Sequence, residues 1–144
     1  MPKQPSSTSG LPGKHDYERL SHFRHRLRRF LRMSELMCKE HGLTPLQYQL
    51  MLHVMGFPGR TWATIGELAE RLQAHHHGVV ALVDRCEATG LLERRVGRDD
   101  QRVVEIHLLS RGERLLARVA AQHQGELRLL LEEFTSARRS SRTR

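Results

Sequence analysis

A chain of 144 residues, 38% hydrophobic and 28% charged, is about one domain long and able to bury a core unaided. Its net charge of +8 is unevenly spread: residues 1–40 carry nine basic and four acidic groups, 41–110 seven and eight, 111–134 four and four, and 135–144 four and none, so bulk basicity alone makes no case for nucleic-acid binding by the middle of the chain. The longest apolar runs fall well short of the roughly 20 residues that span a bilayer, and the N-terminus lacks the apolar stretch of a secretory signal; the expectation is a cytoplasmic protein without membrane association, in which Cys38 and Cys86 stay reduced.

Residues 1–14, rich in Pro, Ser and Gly, have the composition of a disordered arm. From His15 to Glu40, apolar Tyr17, Leu20, Phe23, Leu27, Phe30 and Met37, with Ser34 among them, recur every three or four residues. Arg24, Arg28 and Arg32 line another face. That pattern predicts a long amphipathic helix ending near His41 and Gly42. Thr44 then caps a second helix with Pro45 at its favoured first position, and Gly56, Pro58 and Gly59 close it. Trp62 starts a short strand expected to pair with a later hairpin.

Thr64 and Glu67 stand at capping-box spacing and open a helix to Leu72, with Ile65, Leu68, Ala69 and Leu72 on one face. After Gln73 and Ala74, the run from His75 to Glu87 puts Val79, Leu82, Val83 and Cys86 on the buried side. His75, His76, His77, Val80, Ala81 and Asp84 then point outward. Gly90 supplies the positive φ that ends this helix. Leu91–Val96 and Val103–Leu109 predict two strands around the tip Gly97-Arg98-Asp99-Asp100-Gln101-Arg102. Capped helix, turn, second helix and hairpin spell a helix-turn-helix followed by a wing. A last amphipathic helix from about Ser110 to Thr135 carries Leu115, Leu116, Val119, Ala120, His123, Leu127, Leu130, Leu131 and Phe134. Residues 136–144 then form a basic tail expected to be disordered.

Five segments in this order resemble the MarR family of bacterial transcriptional regulators: Leu43-Thr44-Pro45-Leu46-Gln47-Tyr48, Ile65-Gly66-Glu67-Leu68-Ala69, the run Leu82 to Leu92, Asp100-Gln101-Arg102, and Val104 through Gly112. The resemblance covers roughly residues 17–134. It implies a mainly α (α+β) winged helix-turn-helix, with residues 15–135 as the domain, 61–109 as DNA reader and wing, and 15–42 and 110–135 as helices intertwined across a homodimer. Ala81 stands where many relatives carry a base-contacting Arg, and Cys86 where they carry a core Leu. The resemblance also implies that Arg102 enters the minor groove, that Asp100 orients the loop, and that a small amphipathic aromatic effector sits between the dimer helices and the reader.

Terminal helices of about 25 residues exceed what a winged helix needs to cover its core, so their surplus apolar faces want a partner; an αα-hairpin within one chain is the alternative. The candidate DNA-binding residues are His75, His76, His77 and Val80 on the second reader helix, with Arg94, Arg98 and Arg102 on the hairpin. Adjacent helical residues point about 100° apart, so the three histidines do not converge on one ion. At a helix start they sit where phosphates and base edges are met, a solvated helix start being the alternative. Cys86 reads as a small core residue. Cys38 is the one redox candidate, placed late on the first helix. No phosphate loop, nucleophile elbow or His-Glu-x-x-His is present, so neither enzyme nor cofactor is implied. The expected function is a ligand-responsive regulator, in particular a repressor, that binds a pseudo-palindromic double-stranded DNA operator as a homodimer. A thiol- or metal-responsive sensor on the same scaffold and a non-DNA dimerisation adaptor are the alternatives.

Overall fold

A computed structural model describes residues 10–141. The elements are α1 (Lys14–Glu40), α2 (Pro45–Met55), β1 (Trp62–Ala63), α3 (Ile65–Leu72), α4 (His76–Ala88), β2 (Leu92–Val96), β3 (Val104–Leu108) and α5 (Ser110–Ser141). Helices dominate, and the three strands form one antiparallel sheet in the order β1-β3-β2. The fold is a winged helix with long terminal helices.

Local chemistry sets the boundaries. Thr44 accepts from the Gln47 amide while the Gln47 side chain accepts from the Thr44 amide, and Thr64 and Glu67 repeat the arrangement at α3. Gly42 and Gly90, at φ of +72° and +73°, turn the chain out of α1 and α4. Gln73 takes a left-handed φ of 51° in the turn between α3 and α4, a position glycine more often holds. Trp62 pairs with His107, and Leu92 to Val96 run opposite Leu108 to Val104.

Leu50, Met51 and Val54 of α2, Leu68 of α3, Val79 and Val83 of α4, Leu92, Ile106 and Val119 are fully enclosed. Burial of each such side chain stabilises the fold by about 1.5–3 kcal/mol. The expected inward face of α4 is the observed one, Val79, Leu82, Val83 and Cys86. The long helices α1 and α5 pack antiparallel, with Arg26 ion-paired to Glu133 and Ser34 bonded to His123. Their stripes are covered only in part: Tyr17, Leu20, Leu127 and Leu131 are exposed.

Two terminal boundaries differ from the sequence expectation. Of the segment 1–14, Met1 to Ser9 lie outside the described residues, and α1 begins already at Lys14, where Gly13 donates its amide to the Asp16 carboxylate. At the other end, α5 does not stop at Thr135 but runs to Ser141, six residues into the stretch expected to be a disordered tail. Polar composition argued for disorder there. Yet Ala137, Arg138 and Arg139 are good helix formers, no Gly or Pro interrupts them, and an existing helix propagates more easily than a new one nucleates.

At Gly112 the start of α5 crosses the start of β2. A Cβ built there would collide with the Leu91 carbonyl oxygen, which itself accepts the Leu109 amide at 2.9 Å. Gly112→Ala should therefore lower stability by about 2–3 kcal/mol, whereas Gly66→Ala, in open space on α3, should be neutral or stabilising by up to about 1 kcal/mol. Chemical denaturation of both variants checks this; a Gly112→Ala protein as stable as the parent would mean the crossing is not that close.

Candidate nucleic-acid interface

The α4 start and the wing tip are the exposed ends of the reader. His75 occupies the N-cap of α4 without capping it through its side chain, and His76 and His77 follow in the first turn, all three exposed. The His75 and His77 rings stack nearly parallel, with centroids 5.7 Å apart. The non-helical φ/ψ of the N-cap brings them side by side, something the 100° rule for adjacent helical residues did not anticipate. Among the described residues no group of three or more His, Cys, Asp or Glu is disposed to hold a metal ion. Val80 is half-buried beneath the exposed row formed by Ala81 and Asp84.

On the wing, Gly97 and Val103 close the hairpin through a 2.8 Å bond from the Gly97 amide to the Val103 carbonyl. The Asp100 carboxylate accepts the Arg102 amide at 3.0 Å and its guanidinium at 3.1 and 3.3 Å. These bonds hold Asp100 below the ordinary carboxylate range, the side-chain bond contributing most. Asp100 thereby holds the Arg102 backbone amide and guanidinium together, while the side chain remains 91% exposed. Arg98 is exposed and has no ion-pair partner among the described residues.

Arg94 is differently placed. Its guanidinium reaches back to α4, 2.6 Å from Asp84 and 3.3 Å from Glu87, and its amide donates to Glu87 at 3.2 Å. Arg94, expected from the sequence to contact DNA, thus ties β2 to α4 in this structure. The pair spans helix, glycine turn and strand, so no periodicity in the sequence marks it.

A second clamp was also illegible. Arg60 lies between the Phe57 and Trp62 rings, 4.1 and 4.0 Å from their centroids, and is ion-paired with Glu67. Trp62 in turn stacks on His107, which bonds to Glu105 at 2.9 Å. Burial alone would raise Glu67. The Thr64 hydrogen bonds and the Arg60 charge outweigh it and hold the carboxyl below its usual value.

Cys38, the redox candidate, is fully buried at the end of α1, and burial pushes its thiol up against a smaller lowering by the Ser34 hydrogen bond. Cys86 is likewise enclosed and pushed up to about 11. Both are thiols at neutral pH, and the thiolate is the reactive form. Cys38 belongs to a buried chain of contacts. His123 Nδ1 lies 2.8 Å from the Val119 carbonyl, which only accepts, so Nδ1 donates, and Nε2 is hydrogen-bonded to the Ser34 hydroxyl at 2.8 Å. The ring stacks on Tyr48 at 4.8 Å, tying α1, α2 and α5 together. His123, one of several scattered histidines in the sequence, is a core joint.

Comparison with known proteins agrees with this geometry. A family model described as MarR family matches residues 41–103, from the end of α1 to the wing tip. Over that stretch, somewhat under half of its length, the chain is similar to the MarR family. It is 40% identical over 72 residues to YsmB of Bacillus subtilis (strain 168), an uncharacterized HTH-type transcriptional regulator, and the match spans 50% of this chain and 49% of that one. The chain therefore covers about half the length of the curated relative it matches. AbsC of Streptomyces coelicolor, a MarR family transcriptional regulator, superposes with a TM-score of 0.73 over 90% of this chain and 91% of its own, at 17% identity. A mutant MarR from E. coli, crystallised with operator DNA, superposes with a TM-score of 0.63 over 81% and 80%, at 19% identity. At such identities the superpositions speak for the fold alone. No helix among the described residues is long and apolar enough to cross a membrane.

The Glu67 carboxylate offers a pH test of the α3 start. A carboxyl depressed in the folded state stabilises above its unfolded value and loses that contribution as pH falls through the folded one. Glu67→Gln should cost about 1–2 kcal/mol near pH 7, and the deficit should shrink on acidification, once the parent side chain is also neutral. Denaturation curves between neutral and acidic pH measure it; a deficit independent of pH would exclude the charge of Glu67 as its source.

Proposed function

We propose that this chain is a MarR-family, ligand-responsive transcriptional repressor that grips a pseudo-palindromic duplex operator as a homodimer. The observation that carries the reading is the shared exposure of the histidine-bearing α4 start and of Arg98 and Arg102, on elements locked together by the Arg94 clamp. A helix N-terminus with exposed side chains suits a major groove, and an exposed Arg at a hairpin tip suits the narrow, negative minor groove. The exposed Tyr17, Leu20, Leu127 and Leu131 support a second copy against α1 and α5, with the twofold symmetry that a pseudo-palindrome needs. The effector in this reading is a small amphipathic aromatic compound bound between those helices and the reader, and the compartment is the cytoplasm. The enclosed, protonated Cys38 gives no support to a thiol-responsive sensor.

Footprinting on DNA selected by the purified protein, combined with a size measurement, should find a dimer on half-sites about 10 base pairs apart. A stable monomer with no preference over random DNA would sink this reading and favour the adaptor. Arg102→Ala should weaken binding more than Arg98→Ala. If Arg98 contacts only phosphate, its loss reduces the log-log salt slope by about one unit for all sequences alike; unchanged affinity in both variants would take the wing off the DNA.

The histidines make a separate prediction. Operator affinity should rise as pH falls from about 7.5 to about 6, where imidazoles near phosphate gain charge, and a His76→Gln/His77→Gln protein should lose most of that rise. A flat parent curve, or a variant that keeps the slope, rules them out as electrostatic contacts.

A further inference from the structure

Helix α4 turns a narrow ridge outward. With Val79, Leu82, Val83 and Cys86 buried, the 100° step of a helix puts His77, Ala81, Asp84 and Ala88 opposite them, within a sector of about 60°, and all four are exposed. From His76 to Val83 the sequence is His-His-Gly-Val-Val-Ala-Leu-Val, without one Arg, Lys, Asn, Gln, Asp or Glu. Those are the side chains that read guanine, adenine and cytosine by hydrogen bonds in a major groove. The first acid after this stretch, Asp84, has its carboxylate 2.6 Å from the Arg94 guanidinium. Arg85 stands a full turn beyond Ala81, in the C-terminal half of the helix, whereas base edges are met by the N-terminal part of such a helix.

Ala81 stands on the ridge one turn after His77, and a methyl group is all that its side chain presents. Its neighbour Val80 is half-buried. Of the four bases only thymine carries an apolar group on its major-groove edge, the C5 methyl. We propose that Ala81 is a specificity-determining residue that reads one thymine in each half-site through contact with that methyl. The assignment rests on the operator reading above and deepens it, since it names what the middle of α4 recognises. Such a contact carries no charge, so it contributes to discrimination between sequences and nothing to the salt dependence of binding. It also names the base that can stand in for thymine: 5-methylcytosine holds its methyl at the same place on a pair whose hydrogen-bonding edge differs.

The test starts from the duplex selected by the full-length protein. Each thymine is replaced singly by deoxyuridine, which removes the methyl and keeps the pairing, and affinity is measured at several salt concentrations. One thymine in each half-site should be sensitive: loss of its methyl should weaken binding by about fourfold, and the symmetric double replacement by about 16-fold, with the salt slope unchanged. At that position cytosine should bind weakly, and 5-methylcytosine should recover about fourfold. An Ala81→Gly protein should bind the thymine and deoxyuridine duplexes alike, with helix content followed by circular dichroism. Because glycine by itself weakens an exposed helix, Ala81→Gln is the second variant; selection with it should change the preferred base at that one position, toward adenine, and leave the rest of the operator as it was. Selective binding that is indifferent to deoxyuridine at every thymine overturns the assignment and leaves the operator reading standing. So does a deoxyuridine effect that persists in Ala81→Gly, or an Ala81→Gln protein that selects the parent sequence. Failure to bind DNA, or binding without any sequence preference, overturns both.

Discussion

Helix α2 is enclosed on nearly all sides: Leu50, Met51 and Val54 have no solvent exposure, and the helix touches α1, α3, α4, α5, β1 and β3. A short helix that is apolar most of the way round has no stable place except inside. Of the other elements only β2 is absent from that set, and it is held by β3 and α4. The helix-turn-helix covers one part and the foot of the sheet another, while the lower halves of α1 and α5 close the remainder through Tyr48, His123 and Ser34. The reader and the long helices therefore share one core. A displacement of α1 against α5 has two contact routes to α4, one through α2 and one through the sheet and the Arg111 bond to the Thr89 carbonyl.

Charge does a different job at each end of the molecule. The reader carries nearly equal numbers of acidic and basic groups, and several of its carboxylates position its arginines. Asp84 and Glu87 hold Arg94, Glu67 holds Arg60, and Asp100 steadies Arg102. At the tip, Arg98 and Arg102 remain exposed. Along α1 the excess positive charge is not neutralised in this way, and it lies beside apolar surface instead of beside acids. The same residue type is a clamp in one region and lies beside apolar surface in the other, and the neighbouring carboxylates decide which.

The polar groups of the interior are satisfied. Among the described residues no buried side-chain nitrogen or oxygen lacks a hydrogen-bond partner, and His123, the one buried polar residue, uses both ring nitrogens. A buried imidazole so constrained fixes how α1 and α5 cross, because sliding either helix would leave at least one nitrogen unpaired.

The sequence by itself determined the element types and their order. Capping boxes at Thr44 and Thr64, the glycines at 42 and 90, and the 3.6-residue periodicity of α1, α3, α4 and α5 act within a few residues of chain, so they can be read without knowing the fold. It also determined the inward face of α4, since Val79, Leu82, Val83 and Cys86 have only one way to share a side. Only the tertiary structure decided what lies across chain separations with no period. Arg94 against Asp84 and Glu87, Arg60 between Phe57 and Trp62, and His123 between Ser34 and Tyr48 were of that kind. So was the need for glycine at 112, where a backbone crossing leaves no room for a Cβ. Such contacts depend on where α2 sends its neighbours, and that direction is set by packing the whole core at once.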